Sequence, residues 1–514
     1  MKRRMTARRV VRFAVPGILL AFVASLAVSK AQTAAPAKPA AKPVAKATAP
    51  QPEAIGQRMK FQDFVKDPNR LAALRSAIGL MKTRTSAVNT SADYRRSWEY
   101  WSAMHGFYGP KAKAGLLQDA INDAPLSLRH FYNGLRDLTY PATPPGLAAK
   151  VWDKCQHGTL EFLTWHRIFL FYFEKTLQAS AGNPSLHLPY WDYTDPTQVQ
   201  LPAQFATKAL PDGKPNPLYD ERRRSQTVKL DPSMTNIDNL LKDDVFDDFS
   251  GELEQQPHGT THCAVGPGCP YPLMGDVPVA GTDPIFWLHH ANIDRIFECW
   301  LKLGGTVPDD LKNIPYSFVD GNGSLVTKTY AALPIDYAYD HVTNCGRKPT
   351  QRFKARPEAL PTVTSLAQVQ GFEIKGVRSA AKLPKLKASG TATPEALTTS
   401  GTELVLSDIT VTGPPGVLFN VYLSTTGPNP RKQYVATLSF FGLDHHAKHH
   451  ALHRKVDVTE ALNALKGTNA QAPEVQVEFE ATDGTEGVKP ESLSASLNSK
   501  AVLKVGKIQL QVRK

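Results

Sequence analysis

The side chains best equipped for chemistry in this chain are histidines, and they are unevenly spread. His105, His157 and His166 form an upstream group; His258, His262, His289 and His290 form a second one. His258 and His262 are four residues apart, so a helix would place both on one face, within reach of a single ion. The residues between them, Gly259, Thr260 and Thr261, lack the glutamate of an HExxH zinc peptidase. Nor does a carboxylate fall at the spacing of a facial iron triad. Two groups of three imidazoles on facing helices suit a metal site inside a helix bundle. Imidazole favours copper, zinc, iron or nickel, and an all-imidazole set suits two copper ions cycling between Cu(I) and Cu(II), with O2 as co-substrate. Each histidine taken singly is more often structural than a ligand. Their joint occurrence carries the weight.

The adjacent pair in GTDPIFWLHHANIDRIF, residues 281–297, poses a choice. On a helical wheel His289 lies central to the apolar stripe of Ile285, Ile293, Ile296 and Trp300, whereas His290 sits at its edge with Phe297 and Asp294. Periodicity alone selects His289 as the inward residue. Asp294, one turn past His290, either orients a ligand imidazole through its far N–H or pairs with Arg295 or Arg167.

The elements that must position these side chains divide the 514 residues into α+β multidomain architecture. Long apolar stretches such as LEFLTWHRIFLFYFEKTLQ and FWLHHANIDRIFECWLKL predict buried helices in a mainly α domain over residues 60–345, with a four-helix-bundle core. A Lys/Ser/Thr/Gly-rich stretch predicts a linker over 346–400. After it, period-two runs closed by glycine-bearing turns predict a β-sandwich or barrel over 401–514. At the other end, a basic segment, an apolar run and small residues near Ala31 read as an export signal over 1–31. Its apolar run is shorter than the ~20 residues of a membrane span. An Ala/Pro/Lys spacer follows over 32–59. A periplasmic or secreted protein without stable membrane association after cleavage is therefore expected, in a compartment where disulfides persist. The net charge of +13 misleads, because residues 1–54 carry +9 of it. No basic stripe with interleaved aromatics appears, so no nucleic-acid partner is expected. The cysteine count is odd, at five: Cys155, Cys263, Cys269, Cys299 and Cys345. Cys263 and Cys269 are close enough to pair.

The stretches MHGFYG, CQHGTLEFLTWHRIFLFYFE, LPYWDYTDP, EQQPHGTTH and DPIFWLHHANIDRIF together resemble the type-3 copper proteins. That family comprises tyrosinases, catechol oxidases (polyphenol oxidases) and, more remotely, haemocyanins. The resemblance spans roughly residues 95–345, and both copper motifs occur in order. It implies a first copper (CuA) held by His105, His157 and His166. It implies a second (CuB) held by His258, His262 and His290, the histidine seven residues after the Asp of DPxF, leaving His289 to the core or substrate pocket. Cys155, two residues before His157, matches the position that forms a thioether to that histidine in fungal relatives; a free buried thiol is the alternative.

The family pattern gives Glu254 the role of holding a water that takes the phenol proton. It also marks Gly259 and Val277 as positions that tune hydroxylation and substrate access. Tyr337-Ala338-Tyr339 resembles the tyrosine motif closing the catalytic domain. In plant-type members a C-terminal β domain covers the copper site and inserts a plug, for which Phe440, Phe441 or Leu443 stand at the right place. The neighbouring His445, His446, His449, His450 and His453 either handle copper or form a solvated loop. The implied activity is oxidation of o-diphenols to o-quinones by O2 on small phenolic substrates, with possible ortho-hydroxylation of monophenols, latent until the β domain is displaced. A reversible O2 carrier like haemocyanin, or a copper-binding protein without phenol oxidation, are the alternatives.

Overall fold

This computed structural model describes residues 55–107, 144–342, 363–384, 401–442, 452–466 and 474–513, with Phe353 and several positions between 121 and 130. The expected export signal and most of the spacer lie outside them. So do Leu443, His445, His446, His449 and His450; His453 stands in a strand.

The helical part is built from segments whose sequence punctuation is visible. Helix α1 (Pro68–Thr83) starts with proline at its first position, and the Asp67 carboxylate accepts from the Asn69 N–H. Helix α2 (Trp98–His105) is capped by the Ser97 hydroxyl and carries His105 at its last position. Helix α3 (Phe162–Ala181) is apolar nearly all round, so it is buried on almost every face, and it ends on Gly182 in the left-handed conformation. Helix α4 (Phe246–Leu253) runs into a wider turn, Glu254–Gly259, kinked at Gln256; helix α5 (Thr260–Val265) follows. Helix α6 (Ile285–Lys302) begins just after Asp283, whose carboxylate accepts from the Ile285 N–H and forms a fully buried ion pair with Arg223. The Asp-Pro pair that announces this helix in the sequence thus fixes its entry angle. α3 and α6 pack on each other around a core rich in Trp101, Trp165, Phe169, Phe173 and Trp287. Among the described residues, no helix is long and apolar enough to cross a membrane.

Strand β1 (Gly56–Arg58) pairs in parallel with β4 (Tyr337–Tyr339), and β2 (Tyr316–Val319) with β3 (Leu325–Lys328). The spacer expected up to residue 59 therefore ends sooner, since Arg58 is completely buried.

The β part is a sandwich of two antiparallel four-stranded sheets. One has the order β10-β7-β12-β5, where β5 is Val363–Ile374, β7 is Thr402–Thr412, β10 is Leu452–Asp457 and β12 is Val502–Arg513. The other has the order β6-β11-β8-β9, where β6 is Arg378–Lys382, β8 is Leu418–Thr425, β9 is Lys432–Leu438 and β11 is Val475–Thr482. One helix, α7 (Thr459–Lys466), packs beside β8 and β9. The linker expected over 346–400 is corrected here, because β5 and β6 fall inside it. Both are edge strands with mostly partly exposed residues, so their apolar alternation is too weak to read as strands. A cut after residue 384 would leave two strands in the sandwich; the joint between the two parts precedes Val363.

The two parts meet along a polar seam. The Asp231 N–H donates to the Gly484 carbonyl at 3.0 Å, Arg454 pairs with Glu252 at 3.1 Å, and Lys455 pairs with Asp248. Leu418, at the start of β8, and Phe441, past the end of β9, pack into the helical core.

Candidate metal centre

The folded chain brings His105, His157, His166, His258, His262, His289 and His290 into one buried nest. The His105, His157 and His166 rings lie 5.0–5.6 Å apart, centroid to centroid. His258, His262, His289 and His290 offer nitrogens that all lie within 4.8 Å of one another, and His290 also groups with His105 and His166. The Nε2 atoms of His262 and His290 face each other at 3.1 Å. His290 therefore stands between the two groups.

Backbone carbonyls hold several rings in one orientation. The Nδ1–H of His105 points at the Val277 carbonyl (3.1 Å) and that of His166 at Phe162 (2.7 Å). His258 uses Glu254 (2.9 Å) and His262 uses Met274 (2.7 Å). A ring whose Nδ1 donates in this way presents its Nε2 lone pair to the interior. The Nε2 atoms of His166 and His258 are buried with no hydrogen-bond partner, as is Nδ1 of His290. An unpaired buried polar atom costs about 1–3 kcal/mol, and a protein retains several together only when something else satisfies them. Burial holds the His258 imidazole down at about 3, and burial with neighbouring imidazoles holds His166, His262, His289 and His290 well below the ordinary range. Neutral imidazoles with inward lone pairs, and no carboxylate among them, fit soft-to-borderline cations, copper foremost.

His289 differs from its neighbour. Its Nδ1 meets the Tyr193 hydroxyl at 2.8 Å, and its ring stacks 5.5 Å from His258. Tyr193 stands in the LPYWDYTDP stretch, which the sequence marked as a motif without assigning it a partner. Cys155 is a buried free thiol whose Sγ lies 3.3 Å from His157 Nδ1; burial pushes its thiol well up. Cys263 and Cys269 form the expected disulfide, and Cys299 is disulfide-bonded as well.

Glu254 lies at the rim, where its Oε1 accepts from the Gly158 N–H at 2.6 Å. Burial pushes its carboxyl up to about 8, against the opposing pull of that N–H. Asp294 corrects the expectation of a carboxylate orienting a ligand. It binds Arg167 (2.5 Å), Arg58 (3.2 Å) and the hydroxyls of Tyr337 (2.8 Å) and Tyr339 (2.7 Å), while the nearest candidate, His290 Nδ1, has no partner. The tyrosine motif and an arginine from the first strand claim its oxygens. Arg295 turns instead to Asp192 at 2.8 Å.

Of the three plug candidates, Phe440 packs into the sandwich core near Phe419 and is excluded from the nest. Phe441 enters it. Its ring stacks on His262 at 3.8 Å and 9°, with edge contacts to His157 at 5.5 Å and His258 at 5.4 Å. Val277 is buried beside the following residue, Gly442.

A sequence profile described as the common central domain of tyrosinase matches residues 95–232 and 208–303, the span that holds all seven histidines. The match places the histidine-bearing part of the chain alongside the tyrosinases and polyphenol oxidases. It is 30% identical over 265 residues to tyrosinase HcTyr1 of Hahella sp. (strain CCB-MM4), covering 45% of this chain and 52% of that one. It is 28% identical over 264 residues to polyphenol oxidase A1 of Vicia faba, covering 42% and 41%. The chain thus spans about half the length of these relatives. Over the whole fold it is similar to latent apple tyrosinase, with a TM-score of 0.53 at 19% identity, covering 90% of this chain and 98% of that one. It is similar also to latent aurone synthase, with a TM-score of 0.55 at 19% identity and 90% coverage of each. Type-3 copper proteins hold a pair of copper ions, and the histidine groups described above fit such a pair.

Proposed function

We propose that this chain is a dicopper phenol oxidase held latent by its own β part. His105, His157 and His166 would hold one copper; His258, His262 and His290 would hold the other. His289 stays on Tyr193 as a wall of the pocket. When bound, the copper pair supplies the two-electron redox chemistry by which O2 oxidises an o-diphenol to an o-quinone. The remaining steps belong to the protein. Glu254, buried at the rim with a raised pKa, is placed to hold the water that accepts the phenol proton. Fixed Nδ1 hydrogen bonds keep the imidazoles oriented through turnover. Cys155 would close a thioether to His157, locking that ring; the S–H and a ring C–H would be lost in a two-electron oxidation by O2, so the peptide would lack two hydrogens by mass. In the family pattern Gly259 argues against strong monophenol hydroxylation while Val277 leaves room for varied phenols, so diphenol oxidation is the activity proposed.

The observation that carries latency is Phe441 stacked on His262, in the space a substrate ring would need. The test is to load the full chain with copper and follow quinone absorbance with a catechol and with tyrosine. The chain is then nicked in the joint at 343–362 and measured again. Catechol oxidation should be low before nicking and high after it. A copper-loaded, nicked chain that forms no quinone would remove the oxidase reading and favour an oxygen-carrying or copper-holding role. Export to the periplasm or beyond remains part of this reading, supported by the basic-apolar-small pattern of residues 1–31.

A further inference from the structure

Gly259 has no backbone reason to be glycine. Its φ of −62° and ψ of −33° are ordinary helical values that any residue adopts. Gly442, one residue past the plug, differs in this respect, since its φ of +78° is in the region that favours glycine. What Gly259 provides is room. A Cβ at this position would lie 2.4 Å from the Ser439 Oγ and 3.1 Å from the Ser439 Cβ. Ser439 belongs to the β part, is itself 1% exposed, and sits two residues before Phe441. Its hydroxyl accepts from the Phe441 N–H at 3.3 Å and lies 3.7 Å from Cys263 Sγ, within the Cys263–Cys269 disulfide. The close approach of Ser439 to Gly259 therefore sets how deep the Phe441 ring can go. The Ser439 Oγ can turn aside, but its Cβ moves only with the turn, and α5 opposite is tethered by its disulfide.

We propose that Gly259 and Ser439 form a size-matched seat for the plug, so that the residue at 259 sets the degree of latency. This rests on the latent reading above and adds to it a specific pair of positions. Any side chain at 259 would lift the Ser439–Phe441 turn and shift the closed-to-open equilibrium toward open. When the closed form dominates, the activity of the intact chain is proportional to the open fraction, so the rate reports the shift directly. Overpacking of this kind changes an equilibrium by about tenfold or more.

The experiment uses the full, copper-loaded chain. Catechol oxidation per bound copper and amide exchange over Thr437–Phe441 are measured for wild type, Gly259→Ala, Ser439→Gly and the double variant. Gly259→Ala should raise the rate by about tenfold and speed exchange at Phe441 by a similar factor. In the Ser439→Gly background the same change should have little effect, because the two atoms nearest the added methyl are gone. The Glu254 carbonyl, 3.2 Å from the new Cβ, stays in both backgrounds and cancels from the comparison. Should Gly259→Ala lose copper, Ser439→Leu probes the seat from the other side, with exchange as a readout that needs no turnover. Equal effects of Gly259→Ala with and without Ser439, or no effect of either substitution on rate and exchange, would overturn the seat. Failure of nicked wild type to oxidise catechol would instead sink the oxidase reading itself.

Discussion

Helix α6 carries two buried polar regions one turn apart, and they are built on opposite rules. At His289 and His290 one ring nitrogen each is engaged, by Tyr193 and by His262, while Nε2 of His289 and Nδ1 of His290 are left without a partner. At Asp294 both oxygens are occupied, by two arginines and two tyrosine hydroxyls. Burial alone would push the Asp294 carboxyl up, but Arg167 and Arg58 hold it below the usual range. The first region is incomplete without a ligand, and the second is complete in itself. Unsatisfied buried groups mark where a protein does its work; satisfied ones mark where it holds itself together.

Breaking the complete region should cost the most. Asp294→Ala leaves Arg58 to Glu174 and Arg167 to Glu298 and orphans two tyrosine hydroxyls, and should destabilise the chain by about 2–4 kcal/mol, read from denaturant midpoints. Unchanged stability would erase the distinction between the regions.

The seam between the two parts offers a carboxylate of another kind, Asp243, half-buried among other acids. Burial pushes Asp243 up to about 8, with Lys455 only partly opposing, and Glu252 is raised as well. A closed seam then keeps a proton that an open seam would release. Below the ordinary carboxylate range both forms are protonated and the effect vanishes; as pH climbs toward 8 the closed form is penalised. From pH 5.5 to 8 the seam should weaken by about 1–2 kcal/mol, seen as a rise in the intact-to-nicked activity ratio. Asp243→Asn should flatten that rise.

Smaller effects sharpen the contrast. Tyr339→Phe removes one of four groups on Asp294 and should cost about 1 kcal/mol, with copper content unchanged. His258→Leu should cost the copper-free protein no more than about 1–2 kcal/mol, since it removes an unpaired Nε2 along with the Nδ1 bond to the Glu254 carbonyl. The same variant should lose copper, measured by metal analysis. A large loss of stability without copper would show that the nest is structural.

Much of the centre was legible from residue order. The i, i+4 pair His258 and His262 and the spacing from Asp283 to His290 are local, and so is the nearness of Cys155 to His157. Each survives folding because one helix or one turn sets it. The helical wheel, by contrast, ranked His289 above His290. It registers burial, and both residues are buried, at 0% and 1% exposed. What separates them is which nitrogen meets Tyr193 and which meets His262, and that depends on chain segments far from α6.

The sequence by itself determined the all-histidine ligand chemistry and the helical and β parts, because these rest on composition, periodicity and short spacings; the place of the plug followed only from the resemblance to plant-type relatives. Only the tertiary structure decided that Asp294 serves Arg58 and the two tyrosines, that β5 and β6 belong to the sandwich, and that Phe441, seated by Ser439 against Gly259, covers the histidines. Those outcomes join residues 43 to 236 positions apart, or strands whose half-exposed edges carry little hydrophobic pattern. Contacts of that kind are fixed by packing and by the satisfaction of buried polar groups, which no local run of residues encodes.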